Sequence, residues 1–335
     1  MVNHCWRMTK SIWLALVILA MGLGSLSCQR GYSGPIESIT IGSAPLESSA
    51  LVYIAEARDF FTKNRVKVTV KPYETGAAAH TALLNGEVDV AIPAEYPLVG
   101  SAFRKDRVSL IASIDEAQYF FFVGRKDRGV ENIAGLRGKK IGVVQKTIAE
   151  FYLGRFLVLN GIGKNQVSLV NMNYQGSEDA IVNGSVDAIV TRPPYLQAVT
   201  EKLGANAVVW PVQSSQALYA ILTARNDWIN EHHDSLARIL KSLAAAEEYV
   251  IRYPGEAKSI VQKKLNFDDA YMSAAWEQNQ FILSLDLSLV LAMEDEARWM
   301  ISNNLTTEKS VPDFLDYIYE DTLKSTKPGV VNIIR

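Results

Sequence analysis

Beyond residue 35 the chain alternates between two spacings of apolar residues. Residues 36–42 are a short β-branched run, and 49–63 carry apolar residues at helical spacing. A strand pattern follows at 66–71, a helix at 77–85 and a buried strand at 88–92, with further strands at 108–113 and 119–123. The order then restarts: strand 139–144, helix 148–160 closed by Gly161, strand 167–170, helix 177–183, strand 186–190. Such β-α-β alternation predicts an α/β fold with largely parallel sheets and helices on their faces.

The two series share words as well as order. Ile41-Gly42 recurs as Ile141-Gly142, and Asn85-Gly86-Glu87-Val88-Asp89 recurs as Asn183-Gly184-Ser185-Val186-Asp187. In each half a helix ends, Asn-Gly turns the chain, and Val-Asp opens a strand. Self-similarity of this kind predicts two lobes of one architecture. Segments 119–124 and 217–223 read as the two crossings between them. The expected division is 36–120 with 220–335 as the first lobe and 121–219 as the second. From residue 227 a helical tail returns to the first lobe, its stripe Leu236, Ile239, Leu240, Leu243 and Ala244 spaced for packing. Later tail helices are expected at 256–265, 268–284, 289–303 and 311–322.

The amino-terminal segment departs from this pattern and reads as an address. Arg7 and Lys10 precede an apolar run at 12–23, and small residues lead to Cys28, which is the order of a secretory signal. The run is shorter than the roughly 18 uninterrupted apolar residues of a membrane span. Met8 serves as a start as well as Met1, since Lys10 still supplies the positive end. Residues 1–27 are therefore expected to be a signal peptide and 28–35 a tether. The two cysteines of the chain, Cys5 and Cys28, both lie here, so cleavage before Cys28 leaves no internal disulfide.

Composition narrows the function. The 335 residues are 48% hydrophobic and 21% charged, enough for a full core without disulfide staples. The net charge of -2, which cleavage takes to -4 by removing Arg7 and Lys10, gives no basic footprint for nucleic acid. No phosphate-loop, dinucleotide or nucleophile-elbow motif is present, and the four histidines lack spaced partners. His80 reads as a packed or solvated helix residue. Neither a metal, a cofactor nor a catalytic set is expected, and the chain does not read as an enzyme.

In open α/β sheets ligands sit at the carboxyl ends of strands, facing helix N-termini. That rule selects the loops 43–49, 94–96, 145–150 and 191–195. Their charges, Glu47, Glu95 and Glu150 against Arg192, suit a zwitterion or a heterocycle with donors and acceptors, while helix N-termini alone suit a sulfonate or carboxylate. Tyr96, Tyr119, Tyr195 and Tyr219 are candidates to stack on a flat ligand.

The segments 77–96, 135–157, 179–199 and 227–316 make the chain resemble the substrate-binding proteins of ABC importers, in the nitrate, sulfonate, taurine and thiamine-pyrimidine-precursor branch. Leu136-Arg137-Gly138-Lys139-Lys140-Ile141-Gly142, followed by a polar loop that opens a helix, is the pattern that carries the resemblance. It implies a type II periplasmic binding protein, two Rossmann-like lobes that close over a small solute and deliver it to a permease and ATPase. Carried over by position, Glu47, Ser48 and Ser49 match the family's first ligand loop, Glu95 and Tyr96 the second, and Thr147, Ile148 and Ala149, with Glu150 beside them, the helix-opening loop. Arg192, with Tyr195 after it, occupies a place where relatives often carry an acidic residue before proline. The signal resembles that of a bacterial lipoprotein, with Ser25 where Leu is usual, which implies lipidation of Cys28 and anchoring of a monomer outside the cytoplasm. Two alternatives belong to the same resemblance. One is a biosynthetic enzyme of the menaquinone-pathway or pyrimidine-synthase kind, and the other is a lipoprotein that senses a ligand for a receptor kinase.

Overall fold

The computed structural model describes residues 34–333. The signal-peptide and Cys28 readings fall on residues 1–33 and lie outside the described residues.

The first lobe begins with β1 (Glu37–Ser43), a 3-10 turn (Glu47–Ser49), α1 (Ala50–Ala57), α2 (Phe60–Lys63), β2 (Val66–Pro72), α3 (Gly76–Leu84), β3 (Val90–Ile92), α4 (Glu95–Arg104) and β4 (Val108–Ala117). The chain then enters a second sheet with β5 (Phe121–Arg125), β6 (Lys140–Val143), α5 (Ile148–Leu159), β7 (Ser168–Asn171), α6 (Ser177–Val182), β8 (Ala188–Thr191), α7 (Tyr195–Leu203) and β9 (Ala207–Pro211). It returns with β10 (Leu218–Arg225), α8 (Asn226–Glu231), α9 (His233–Arg252), α10 (Pro254–Leu265), α11 (Asp269–Trp276), β11 (Asn279–Gln280), α12 (Leu287–Ser302) and α13 (Asp321–Thr326).

The strand orders are β11-β4-β10-β3-β1-β2 and β7-β6-β8-β5-β9. In each sheet three parallel strands, β2-β1-β3 and β7-β6-β8, meet an antiparallel strand that has come from the other lobe. The sheets are thus mixed rather than largely parallel, and the crossings are the short segments before β5 and β10. Gln213 ties the crossings together: its side chain accepts the Phe120 N–H at 2.9 Å and donates to the carbonyls of Ala117 and Gln216, each at 3.0 Å.

The repeated words have one structural meaning. Gly86 and Gly184 turn the chain at φ +76° and +79°, a conformation that residues with a Cβ rarely adopt. The turn brings Asp89 and Asp187 beside β1 and β6 at the point where these begin to pair with β3 and β8. There Asp89 accepts the Thr40 N–H at 2.7 Å and Asp187 accepts the Lys140 N–H at 2.9 Å. A backbone donor just ahead of that pairing is satisfied the same way twice.

Leu236, Ile239, Leu240 and Leu243 of α9 are fully buried, and Arg238 reaches Glu37 of β1 at 3.0 Å, which seats the tail on the first lobe. Helix α12 also touches the second lobe, through Asp295 to Arg155 at 3.4 Å and Trp299 to Phe151 at 5.7 Å between ring centres. Three element boundaries differ from expectation. Asp59, at φ 58°, splits the helix expected over 49–63. The helix expected over 268–284 ends at Trp276, because Phe281, Leu283 and Leu285 are buried at the two-residue period of extended chain. Over 311–322 the chain forms a 3-10 turn (Phe314–Tyr317), and Ile318 then bridges Leu110 of β4 before α13 begins.

Candidate functional site

Six loops at the carboxyl ends of parallel strands, three from each sheet, converge on a cavity of about 280 Å³. They follow β1, β2 and β3 in the first lobe and β6, β7 and β8 in the second. Each leads into a helix, so helix N-termini with their unpaired N–H groups surround the space. The crossing segments close it with Tyr119, Phe120, Leu218 and Ala220.

Seven of the sequence-predicted residues line this cavity: Ser48, Ser49, Tyr96, Thr147, Ile148, Arg192 and Tyr195. Ser49 Oγ lies 2.6 Å from Ser43 Oγ, placing paired hydroxyls at the mouth of the first helix. Thr147 caps α5, accepting the Ala149 N–H at 3.2 Å while its own hydroxyl donates to the Val144 carbonyl at 2.7 Å. Thr75 does the same for α3 by accepting from Ala78 at 3.1 Å.

Glu47, Glu95, Ala149 and Glu150 do not line it. Glu47 is buried and accepts from the Tyr271 hydroxyl at 3.0 Å. Glu150 accepts the Lys146 N–H at 2.7 Å, which folds the loop back onto its helix. Ala149 is fully buried in α5. Glu95 is fully buried too and accepts the Tyr219 N–H at 3.1 Å. Of the four tyrosines proposed to stack, Tyr96, Tyr119 and Tyr195 reach the cavity and Tyr219 does not. His80 is packed, its Nε2 2.8 Å from Ser101 Oγ.

Removing those carboxylates changes the charge of the site. Among the described lining residues Glu74 is the one carboxylate, against Lys146 and Arg192. Among the described residues neither cation has an ion-pair partner. The Arg192 guanidinium lies 5.0 Å from the centre of the Tyr174 ring, which stacks on Tyr195 at 5.9 Å and 16°. Burial opposes the Arg192 charge, but Tyr119, Tyr174 and Glu47 outweigh it and hold the group protonated. Burial in turn pushes the Tyr174 hydroxyl up to about 12, so it faces a ligand as a neutral donor.

Sequence reasoning missed the loops after β2 and β7, which supply Glu74, Thr75, Asn173, Tyr174 and Gln175. The same strand-end rule would have found them, since Tyr73-Glu74-Thr75-Gly76 and Tyr174-Gln175-Gly176 hold matching places in the repeat.

A cavity between two such lobes can hold a small anionic solute, and comparison with known proteins bears on this. The family model described as NMT1/THI5 like matches residues 47–257. The chain belongs to that family. A protein of Bacillus subtilis (strain 168), provisionally named an aliphatic sulfonates-binding protein, is 26% identical over 236 residues, covering 69% of this chain and 70% of its own. The solved alkanesulfonate-binding protein SsuA from Xanthomonas axonopodis pv. citri, bound to MOPS, superposes with a TM-score of 0.71 at 13% identity, covering 86% of this chain and 100% of its own. The desulfurization enzyme DSZB shares the fold at a TM-score of 0.67 and 15% identity, covering 87% of this chain and 98% of its own. The fold is therefore that of the two-lobed periplasmic binding proteins, as the resemblance implied. The relatives support a solute-binding component over the biosynthetic and sensory alternatives.

Proposed function

We propose that this NMT1/THI5-like protein is the extracytoplasmic solute-binding component of an ABC importer and that its solute is a small organic oxyanion, a sulfonate in the first instance. The observation that carries the reading is the pair of cations, Arg192 and Lys146, which face the cavity and form no ion pair among the described residues. A sulfonate supplies the missing charge and three acceptors for the guanidinium, the serine and threonine hydroxyls and the helix N-termini. A zwitterion or heterocycle would need acceptors for its own donors, and Glu47, Glu95 and Glu150 are turned away from the space, which leaves Glu74 as the one carboxylate among the described lining residues. The names of the relatives support the same class.

In this reading residues 36–120 with 220–335 and residues 121–219 are the two lobes that close on the solute. Binding occurs without turnover. The chain acts as an exported monomer, lipidated at Cys28, a state that the mass of the amino-terminal peptide from exported protein reports. The permease and ATPase are its partners.

The test is calorimetric titration of the purified protein with ethanesulfonate, taurine, nitrate and a pyrimidine. A sulfonate should bind one-to-one, and Arg192→Ala should weaken it about a hundredfold or more while leaving the melting temperature of the unliganded protein unchanged. Unaltered affinity in Arg192→Ala would remove that residue from the site. Consumption of any of these compounds by the isolated protein would favour the enzyme reading that the DSZB fold keeps in view.

A further inference from the structure

A second, larger chamber of about 600 Å³ adjoins the ligand cavity. Ala77, Tyr96, Pro97 and Lys146 line both, so the two spaces meet across these four side chains. Apart from those four residues, the outer chamber has walls of its own. Helix α3 contributes Thr81 and Leu84, α4 contributes Gly100 and Phe103, the end of α12 contributes Met300, and Leu305 follows it. These place the apolar side chains Leu84, Phe103, Met300 and Leu305 around one space, which the charged Arg104, Lys146 and Glu308 also line.

The absence of a side chain at Gly100 keeps the α4 wall low. A Cβ there would meet only the far end of the flexible Arg104 side chain, at 3.2 Å, so no backbone contact requires glycine at this position. Thr81 is exposed, and its hydroxyl bonds only within its own helix, to the Ala77 carbonyl at 3.1 Å.

We propose that this chamber is a subsite for the hydrocarbon body of the anion, so that the protein selects sulfonates carrying an extended alkyl or aryl tail over those of one or two carbons. The inference rests on the reading of the inner cavity as an oxyanion site, and it adds where the remainder of the molecule goes. The charged head meets Arg192, the chain passes between Tyr96 and Lys146, and the tail removes Leu84, Phe103, Met300 and Leu305 from water. Affinity then grows with each methylene buried.

The experiment titrates the purified protein with methane-, butane-, hexane- and octane-1-sulfonate, and repeats the series with Gly100→Leu and Thr81→Trp. Both substitutions fill the outer chamber and leave the inner lining untouched, and Thr81→Trp alters an exposed helical position that the fold tolerates. Octane-1-sulfonate should bind about tenfold or more tightly than methanesulfonate. Each variant should remove most of that gain while holding methanesulfonate within about twofold. If methanesulfonate binds and affinity is flat along the series, the chamber is not a subsite and the oxyanion cavity stands. Variants that weaken every member equally would overturn the subsite as well. If no member of the series binds, the oxyanion reading falls and this inference falls with it.

Discussion

Glu95 and Glu296 are both fully buried, and burial favours the protonated form of each carboxyl. Burial pushes Glu95 up to about 7 from an ordinary 4.5, only partly offset by its own N–H and the Tyr219 N–H. Burial and the neighbouring Glu95 carboxyl raise Glu296 well above its ordinary value as well. The folded chain thus holds protons that the unfolded chain releases above about 4.5. The stability this contributes is complete below that pH and is lost as pH rises through about 7, on the order of 3 kcal/mol. Glu296→Gln replaces one acid with a neutral amide. Thermal melts of the two proteins between pH 5 and pH 8 should show the variant gaining on the parent as pH rises. Parallel profiles would mean that the pair carries no proton linkage.

At the scale of elements, what the sequence makes legible is what local hydrogen bonding enforces. The Asn-Gly-x-Val-Asp words announce two lobes because each closes the same turn and the same contact to a strand N–H, through Asp89 and Asp187. Site residues in first helical turns are harder to read, because side chains about 100° apart around a helix face different surroundings. Tyr96 lines the cavity while Glu95, one position earlier, points into the core; Ile148 lines it while Ala149 and Glu150 do not. Strand-end position identifies the loop, and only packing decides which of its residues faces the ligand. The same ambiguity hid the extended segment at Phe281–Leu285, whose extension is a tertiary effect of pairing with β4. Thr147 is the element-scale residue that joins stability to binding, since it caps α5 and also lines the cavity. Thr147→Val keeps the shape and removes both hydroxyl bonds. Denaturant unfolding should register a loss of about 1–2 kcal/mol, and calorimetry a weaker sulfonate. A variant as stable as the parent would remove the cap from the account.

For the whole molecule the question is what moves when the cavity fills. The lobes are joined by two short crossings, and Gln213, itself buried, holds the crossings to each other by three hydrogen bonds. A hinge tied in this way restricts relative motion of the lobes to rotation about one region, while the cavity walls beyond it come from both sheets. A ligand touching Ser48 and Ser49 on one side and Thr147 and Arg192 on the other favours the arrangement in which both reach it, so it shifts the population toward closure. Helix α12 opposes free opening on a second flank, where Trp299 lies between Tyr96 of the first lobe, at 6.4 Å, and Phe151 of the second, at 5.7 Å. Small-angle scattering should therefore record a smaller radius of gyration for the sulfonate-saturated protein than for the ligand-free one. The indole of Trp299 should report the same change in its fluorescence, since one of its ring neighbours belongs to each lobe. Gln213→Ala, which unties the crossings, should increase the ligand-free radius and enlarge the change on binding. Identical scattering curves with and without saturating ligand would show that the lobes do not clamp, and the cavity would then be a fixed receptacle whose occupancy is read by some other part of the surface.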